Sequence, residues 1–356
     1  MRFKKFAAII LMSTMIGTMS LSGCGGVNKD AVAITMTSDD KDAIEVTMGY
    51  ANFAARIQQA GYDSVFASYY GDDYWTNDSY AKDGKNMQES IKDSVLESIE
   101  TQYLLEKHMS DYGVEITEED QAAIKKAAEQ FMSDNSKAAL KEVGATQEYV
   151  ERYLYLQTVE KRMKAAISAT ADTNVSDEEA AQKKMQYVLF STKTTGSDGK
   201  STDMSDDEKA EVKKKAEDFQ KDAASAEDFS VFATAVGASA TDLTFDSDTT
   251  SPNEDLIKAA DKLKEGEVTD VIEADNGYYV AKVVSLLDRD ATDTKKESIV
   301  SQRKSDQYQS ICKKWKKKTD IKVHKKVWNT ISFADQGVTV KSTTEDTDTS
   351  SDSSSK

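Results

Sequence analysis

Cysteine and histidine are nearly absent: two of each stand in 356 residues. Cys24 and Cys312 supply no intramolecular disulfide framework if Cys24 is modified at a processed N-terminus. His108 and His324 stand apart, in no Cys/His metal-ligand spacing, and both read as incidental surface or core residues. There is no Gly-x-Ser-x-Gly turn for a nucleophile and no glycine-rich loop to cradle phosphate. Basic charge is also short, with 46 Lys and Arg against 63 Asp and Glu, a net charge of −17. Such an acidic chain argues against nucleic acid as a partner and favours solubility. Apolar runs are short: Phe6 to Ile16 falls below the length that spans a bilayer securely.

That run has a meaning of its own. Arg2, Lys4 and Lys5 precede it as a basic region, and Leu21-Ser22-Gly23-Cys24 follows. The pattern is similar to the lipobox of bacterial lipoproteins, which implies a leader over residues 1–23 and a diacylated Cys24 holding the chain on the extracytoplasmic side of a cell membrane. Two acyl chains give stable anchoring where one is marginal. A plain secretory leader with an incidental cysteine is the alternative. Loss of Arg2, Lys4 and Lys5 takes the net charge from −17 to −20. Residues 24–43, polar and small, read as a tether.

Residues 44–182 carry helical periodicity. Tyr50, Phe53, Ala54 and Ile57 form a first stripe; Ile91, Val95, Ile99 and Tyr103 form a second, which Gly113 ends. Thr117 to Asp120 approaches a capping box, and Thr146 opens a helix carrying Tyr149, Val150, Tyr153, Leu156, Val159 and Met163. Between two of these helices lies an aromatic cluster including Tyr62, Phe66, Tyr69, Tyr70, Tyr74, Trp75 and Tyr80. Tyr69, Tyr70, Tyr74 and Trp75 can hold unfolded segments through apolar contact, or the cluster can cap its own core.

Residues 183–288 change character. The strand Met185 to Phe190 is followed by a polar insert, by a helix from Ser205 to about Ala224 and by a shorter one near Phe229 to Val236. A strand at Asp242 to Phe245 comes next. A helical piece with Leu256, Ala259, Ala260 and Leu263 then feeds a hairpin, Val268 to Ile272 and Tyr278 to Val283, turned by Asp275-Asn276-Gly277. Asp206, Asp207 and Glu208 after Ser205 read as the first turn of a capped helix; a metal site there lacks further ligands.

Lys262 to Thr269 (KLKEGEVT) and Asn276 to Val283 (NGYYVAKV) resemble the C-terminal half of a parvulin-type prolyl isomerase domain, and the β-α-α-β-α-β-β order agrees. Ser94 to Thr117 resembles the N-terminal helical lobe of SurA- and PrsA-type chaperones. The fold implied is α+β: a helical chaperone lobe with an inserted parvulin-like domain. Residues 289–335, with Ile299, Ile311, Cys312 and Trp315 inward, are then expected to pack back on the lobe. Cys312 reads as a small buried residue rather than a thiol nucleophile. Lys313, Lys314, Lys316, Lys317 and Lys318 suit a helix C-terminus and read as a solvated face, with anionic lipid or wall polymer as the alternative. Residues 336–356 are Ser/Thr/Asp low complexity, expected to be disordered.

A prolyl isomerase lowers a torsional barrier of about 20 kcal/mol by holding the X-Pro amide in a dry pocket. The resemblance places the family's two ring histidines at Tyr187 and Tyr279, its pocket phenylalanine at Leu256 and its pocket methionine near Pro252. Tyrosine can donate a hydrogen bond but is bulkier and neutral. What the resemblance implies is a membrane-anchored foldase for unfolded exported proteins, without cofactor or metal. Its parvulin-like domain is expected to bind more than to catalyse. An active isomerase at Tyr187 and Tyr279 and a solute-binding or structural lipoprotein are the alternatives, and a homodimer stays open.

Overall fold

The computed structural model describes residues 15–17, 27–38, 43–71, 73–196, 199–334 and 338–340. In chain order the strands and helices of the first part are β1 (Met15–Gly17), β2 (Val32–Thr37), β3 (Ala43–Thr47), α1 (Met48–Tyr70), α2 (Met87–Lys107), α3 (Glu118–Asp134), α4 (Lys137–Glu142) and α5 (Gln147–Ser168). Then come α6 (Asp177–Ala180), β4 (Lys183–Ser191), β5 (Lys193–Thr195), β6 (Ser201–Asp203), α7 (Asp206–Ala223), α8 (Phe229–Ala235) and β7 (Ala240–Phe245). The last are α9 (Glu254–Asp261), β8 (Ile272–Ala274), β9 (Gly277–Ser285), α10 (Arg289–Lys317), β10 (Asp320–Val323), α11 (Lys325–Trp328) and β11 (Val338–Val340). They fall into two compact units, Met1–Ala171 with Lys304–Lys356, and Asp172–Arg303. The second is wider than the residues 183–288 expected from sequence, because α6 and the start of α10 belong to it.

The first unit is mainly helical, and local caps start its helices. Thr117 accepts from the Asp120 amide at 3.2 Å while Asp120 accepts from the Thr117 amide at 2.8 Å. Asn86 and Glu89 make the same reciprocal pair at α2, and Thr146 caps α5. Phe53, Ala128, Phe131, Val150 and Leu154 form the core of α1, α3 and α5.

Two expectations fail here. Residues 24–43 are not all tether: β2 is the middle strand of the sheet β10-β2-β3, and Ala33 and Ile34 are fully buried. Its second partner is β10, with Ile34 opposite Val323. The tail is not featureless throughout, since Val338–Val340 pairs with Met15–Gly17, residues expected in the leader. Cys24 and residues 341–356 lie outside the described residues.

The end of the chain completes this unit. Ile311, Cys312 and Trp315 pack against Leu105, Val159, Met163 and Ile167. Trp328, Ile331 and Phe333 are buried, and the Lys92 ammonium donates to the Ile331 carbonyl at 2.8 Å.

The second unit is a four-stranded antiparallel sheet, order β7-β4-β9-β8. Side chains alternate across it. Val188 and Val280 face α7 and α8 with Phe219, Phe229 and Ala233, while Met185, Tyr279, Ala281 and Val283 face α9. The hairpin runs from Ile272, not Val268, which makes only a single bridge to Lys282. Gly277 alone in its turn has a positive φ, +142°, and a Cβ there would stand 2.1 Å from the Phe190 carbonyl oxygen. That close strand approach requires glycine.

Candidate functional site

In the second unit, β4 and β9 place Leu189 opposite Tyr279 and Tyr187 opposite Ala281. Tyr187 and Tyr279 are therefore diagonal neighbours on one face, with ring centroids 5.9 Å apart and planes at 50°. The two residues expected in one site are brought together. Tyr279 is closed in, 2% exposed, and its hydroxyl accepts from the Asn276 side-chain Nδ2 at 2.9 Å. Tyr187 is half-buried, and the residue opposite it on β7 is the exposed Thr241. Sequence reading passed over that hydroxyl, whose only signal was its register against Tyr187.

Leu256, expected to line a substrate pocket, is 0% exposed. Asn253 caps α9 by accepting from the Leu256 amide at 2.9 Å, which fixes the first turn so that Leu256 and Ile257 fall onto the sheet. Phe245, Leu256, Ile257 and Tyr279 fill one another's space. A proline ring cannot reach Leu256 without displacing them, so the substrate-binding expectation is corrected to a core role. α8 ends at Ala235, Gly237 follows with φ +78°, and β7 begins at Ala240.

Beside β7, burial alone would raise the Asp246 carboxyl. Hydrogen bonds from Lys295 at 2.8 Å, Gln182 at 2.8 Å and Thr249 at 3.0 Å instead hold it well below the usual range. This is a clamp on the unit's own structure. Ser205 and Glu208 form a reciprocal cap, with the Ser205 amide donating to Glu208 at 2.8 Å, so the acids there serve the helix start. Among the described residues no group of three His, Cys, Asp or Glu could hold a metal ion.

In the first unit the aromatic cluster divides. Tyr74 and Trp75 are each 1% exposed; the Trp75 indole donates to Asp63 at 2.7 Å, and the Tyr74 hydroxyl donates to the same carboxylate oxygen. Burial, then the bond to Asp63, raises the Tyr74 hydroxyl far above its ordinary range. Trp75 also stands edge-on to Phe333 at 4.9 Å. Of the two readings, client surface or core cap, both residues take the core one, because their polar tips find a buried carboxylate. Tyr69, at 79%, and Tyr70, at 42%, remain exposed, with Tyr80 edge-on to Tyr70 at 5.1 Å.

A cavity of about 130 Å³ opens between α1, α2 and α5, lined by Gln58, Tyr62, Val95, Gln102, Tyr153 and their neighbours. Its signal in the sequence is a polar row, Ser94, Ser98 and Gln102, at four-residue spacing beside the apolar row Ile91, Val95 and Ile99.

His108 stacks flat on Trp315 at 4.1 Å, with Nδ1 2.6 Å from Asp111; His324 Nε2 lies 2.9 Å from the Thr35 hydroxyl. Both belong to the first unit, whereas Tyr187 and Tyr279 belong to the second. Burial raises the Cys312 thiol, which disfavours a nucleophilic role.

Residues 195–295 match the PPIC-type PPIASE domain family. That span takes in Leu256 and Tyr279 and begins after β4, leaving Tyr187 outside. Among solved structures, the foldase protein PrsA from Streptococcus pneumoniae is 22% identical, over 66% of this chain and 87% of that one, with a TM-score of 0.28. A PrsA peptidylprolyl isomerase from Bacillus cereus is 17% identical, over 71% and 95%, with a TM-score of 0.32. A SurA-like chaperone of Campylobacter jejuni is 13% identical, over 82% and 98%, with a TM-score of 0.29. No curated protein matches the chain. The α+β chain is thus similar to the PrsA foldases and SurA-like chaperones, and its second unit to the PPIC-type, or parvulin, domain.

Proposed function

We propose that this protein is an extracytoplasmic foldase that holds unfolded exported chains, anchored through a lipidated Cys24, with a parvulin-like domain that binds without catalysing isomerisation. The observation that carries the catalytic half is the filled face of the second unit: Tyr279 is 2% and Leu256 0% exposed where an isomerase needs an open proline pocket. Clients are held by the cavity among α1, α2 and α5 and by the exposed Tyr69 and Tyr70. Tyrosine rings and short polar side chains contact any unfolded backbone without reading its sequence. No energy cofactor enters, since release follows from the client burying its own apolar surface.

The test is light scattering from a chemically unfolded client diluted into buffer with the chain present. The reading expects suppressed aggregation without nucleotide; scattering equal to that with an inert protein would contradict it. A second reading keeps the domain active. The half-buried Tyr187 and the exposed Thr241 opposite it offer two hydroxyls at the open margin of the sheet. That reading requires X-Pro exchange to quicken and the gain to vanish in Tyr187→Phe.

A further inference from the structure

We infer that the stretch from Lys313 to Lys326 is a docking surface for the headgroups of an anionic phospholipid bilayer. It holds eight lysines and one acid, Asp320, in a chain whose net charge is −17. A run so contrary to the whole chain is not explained by solubility, which the acidic surplus already supplies.

The placement of these lysines separates them from the rest of the fold. On α10, Ile311, Cys312 and Trp315 face inward to Leu105, Val159 and Met163. At 100° per residue, Lys313, Lys314 and Lys317 then fall on the opposite, exposed side. Lys316, between the two faces, turns to α2 and pairs with Glu100 at 2.6 Å. Lys322 alternates outward on β10 while Ile321 and Val323 pack on the core. Lys325 and Lys326 are exposed on α11. Apart from Lys316, none of these lysines is in an ion pair among the described residues.

The second observation is where the chain's beginning enters the unit. β2 runs antiparallel to β10, Ile34 lies opposite Val323, and the His324 amide donates to the Ala33 carbonyl at 2.9 Å. The N-terminal end of β2 therefore meets the chain where Lys325 and Lys326 follow. From Cys24 to Val32 is eight residues, a reach of at most roughly 28 Å. A bilayer holding Cys24 thus lies within that reach of the β2 end that meets Val323 and His324. This geometry rests on the lipid-anchor reading above; the affinity of the lysines for anionic lipid does not. Each lysine beside an anionic membrane contributes about fivefold in partitioning, and the attraction decays within a Debye length of about 8–10 Å.

The experiment floats the unlipidated chain, beginning at position 24 with Cys24→Ser, on phosphatidylglycerol/phosphatidylcholine vesicles and on phosphatidylcholine vesicles. Expected are binding to the first only, a steep fall with added salt, and at least a tenfold loss on combining Lys314→Gln, Lys317→Gln, Lys325→Gln and Lys326→Gln. The same positions changed to Arg should retain binding, as should Lys214→Gln, Lys215→Gln and Lys221→Gln on α7. The proposal is overturned if anionic vesicles are not preferred, or if the α7 variant loses as much. Binding of polyphosphate with vesicles left unbound would overturn it too, in favour of a soluble polyanion. Because this chain carries no acyl group, failure here leaves the Cys24 anchor standing. The mass of the mature N-terminus tests that anchor separately.

Discussion

Tyr187 and Tyr279 lie 5.9 Å apart on neighbouring strands, one half-buried and the other sealed beneath α9. A pair of ring groups that the resemblance casts as catalytic is, in packing terms, half core. The register between β4 and β9 brings them together, and Leu256 and Ile257 determine how little of the pair a substrate could touch.

Leu256 is therefore expected to matter for stability and not for ligand contact. Leu256→Ala removes a fully buried side chain, a change that costs about 2–5 kcal/mol in a well-packed core. Urea unfolding followed by circular dichroism should show a lower midpoint for the transition of the second unit. A midpoint unchanged from the parent would mean the site is looser than its packing indicates.

Asp246 makes the second unit acid-sensitive. Its carboxyl titrates well below the ordinary value of about 3.9 because the bonds from Lys295, Gln182 and Thr249 outweigh the cost of burial. A depressed folded-state pKa contributes stability that is fully present above the unfolded value. It is lost as pH falls below that value toward the folded one. Asp246→Asn should be less stable at neutral pH by roughly 1.5–3 kcal/mol, the scale of a charged hydrogen bond. The gap to the parent should narrow on acidification through the usual aspartate range, as measured by thermal melts across pH.

The cavity between α1, α2 and α5 makes a separate prediction. Ser98 lies on its polar row and is exposed, so Ser98→Phe fills the space without disturbing the buried Val95 and Ile99. Aggregation suppression should drop several-fold while the melting transition stays in place. Unchanged suppression would move client holding to the exposed Tyr69 and Tyr70.

Much of this was legible because it is local. The caps at Thr117, Thr146 and Ser205 are written within four residues, and the alternation of Met185 to Phe190 gives a strand with two different faces. What escaped depends on distant partners. Val32–Thr37 looks like tether until β10, nearly three hundred residues on, pairs with it and buries Ala33 and Ile34. Tyr74 and Trp75 read as client contacts or as core, and the choice turned on Asp63, a buried acceptor that no periodicity announces. The hairpin was placed correctly at its turn and too early at its first strand. Val268 makes one bridge there, and Ile272–Ala274 carries the ladder.

The most direct measurement is a protease-coupled prolyl isomerase assay on the chain from position 24 onward, across a panel of X-Pro peptides. The account predicts exchange at the uncatalysed rate for every peptide, in the parent and in Tyr187→Phe and Tyr279→Phe alike. Acceleration by the parent that disappears in Tyr187→Phe would contradict it and make the two tyrosines a working site.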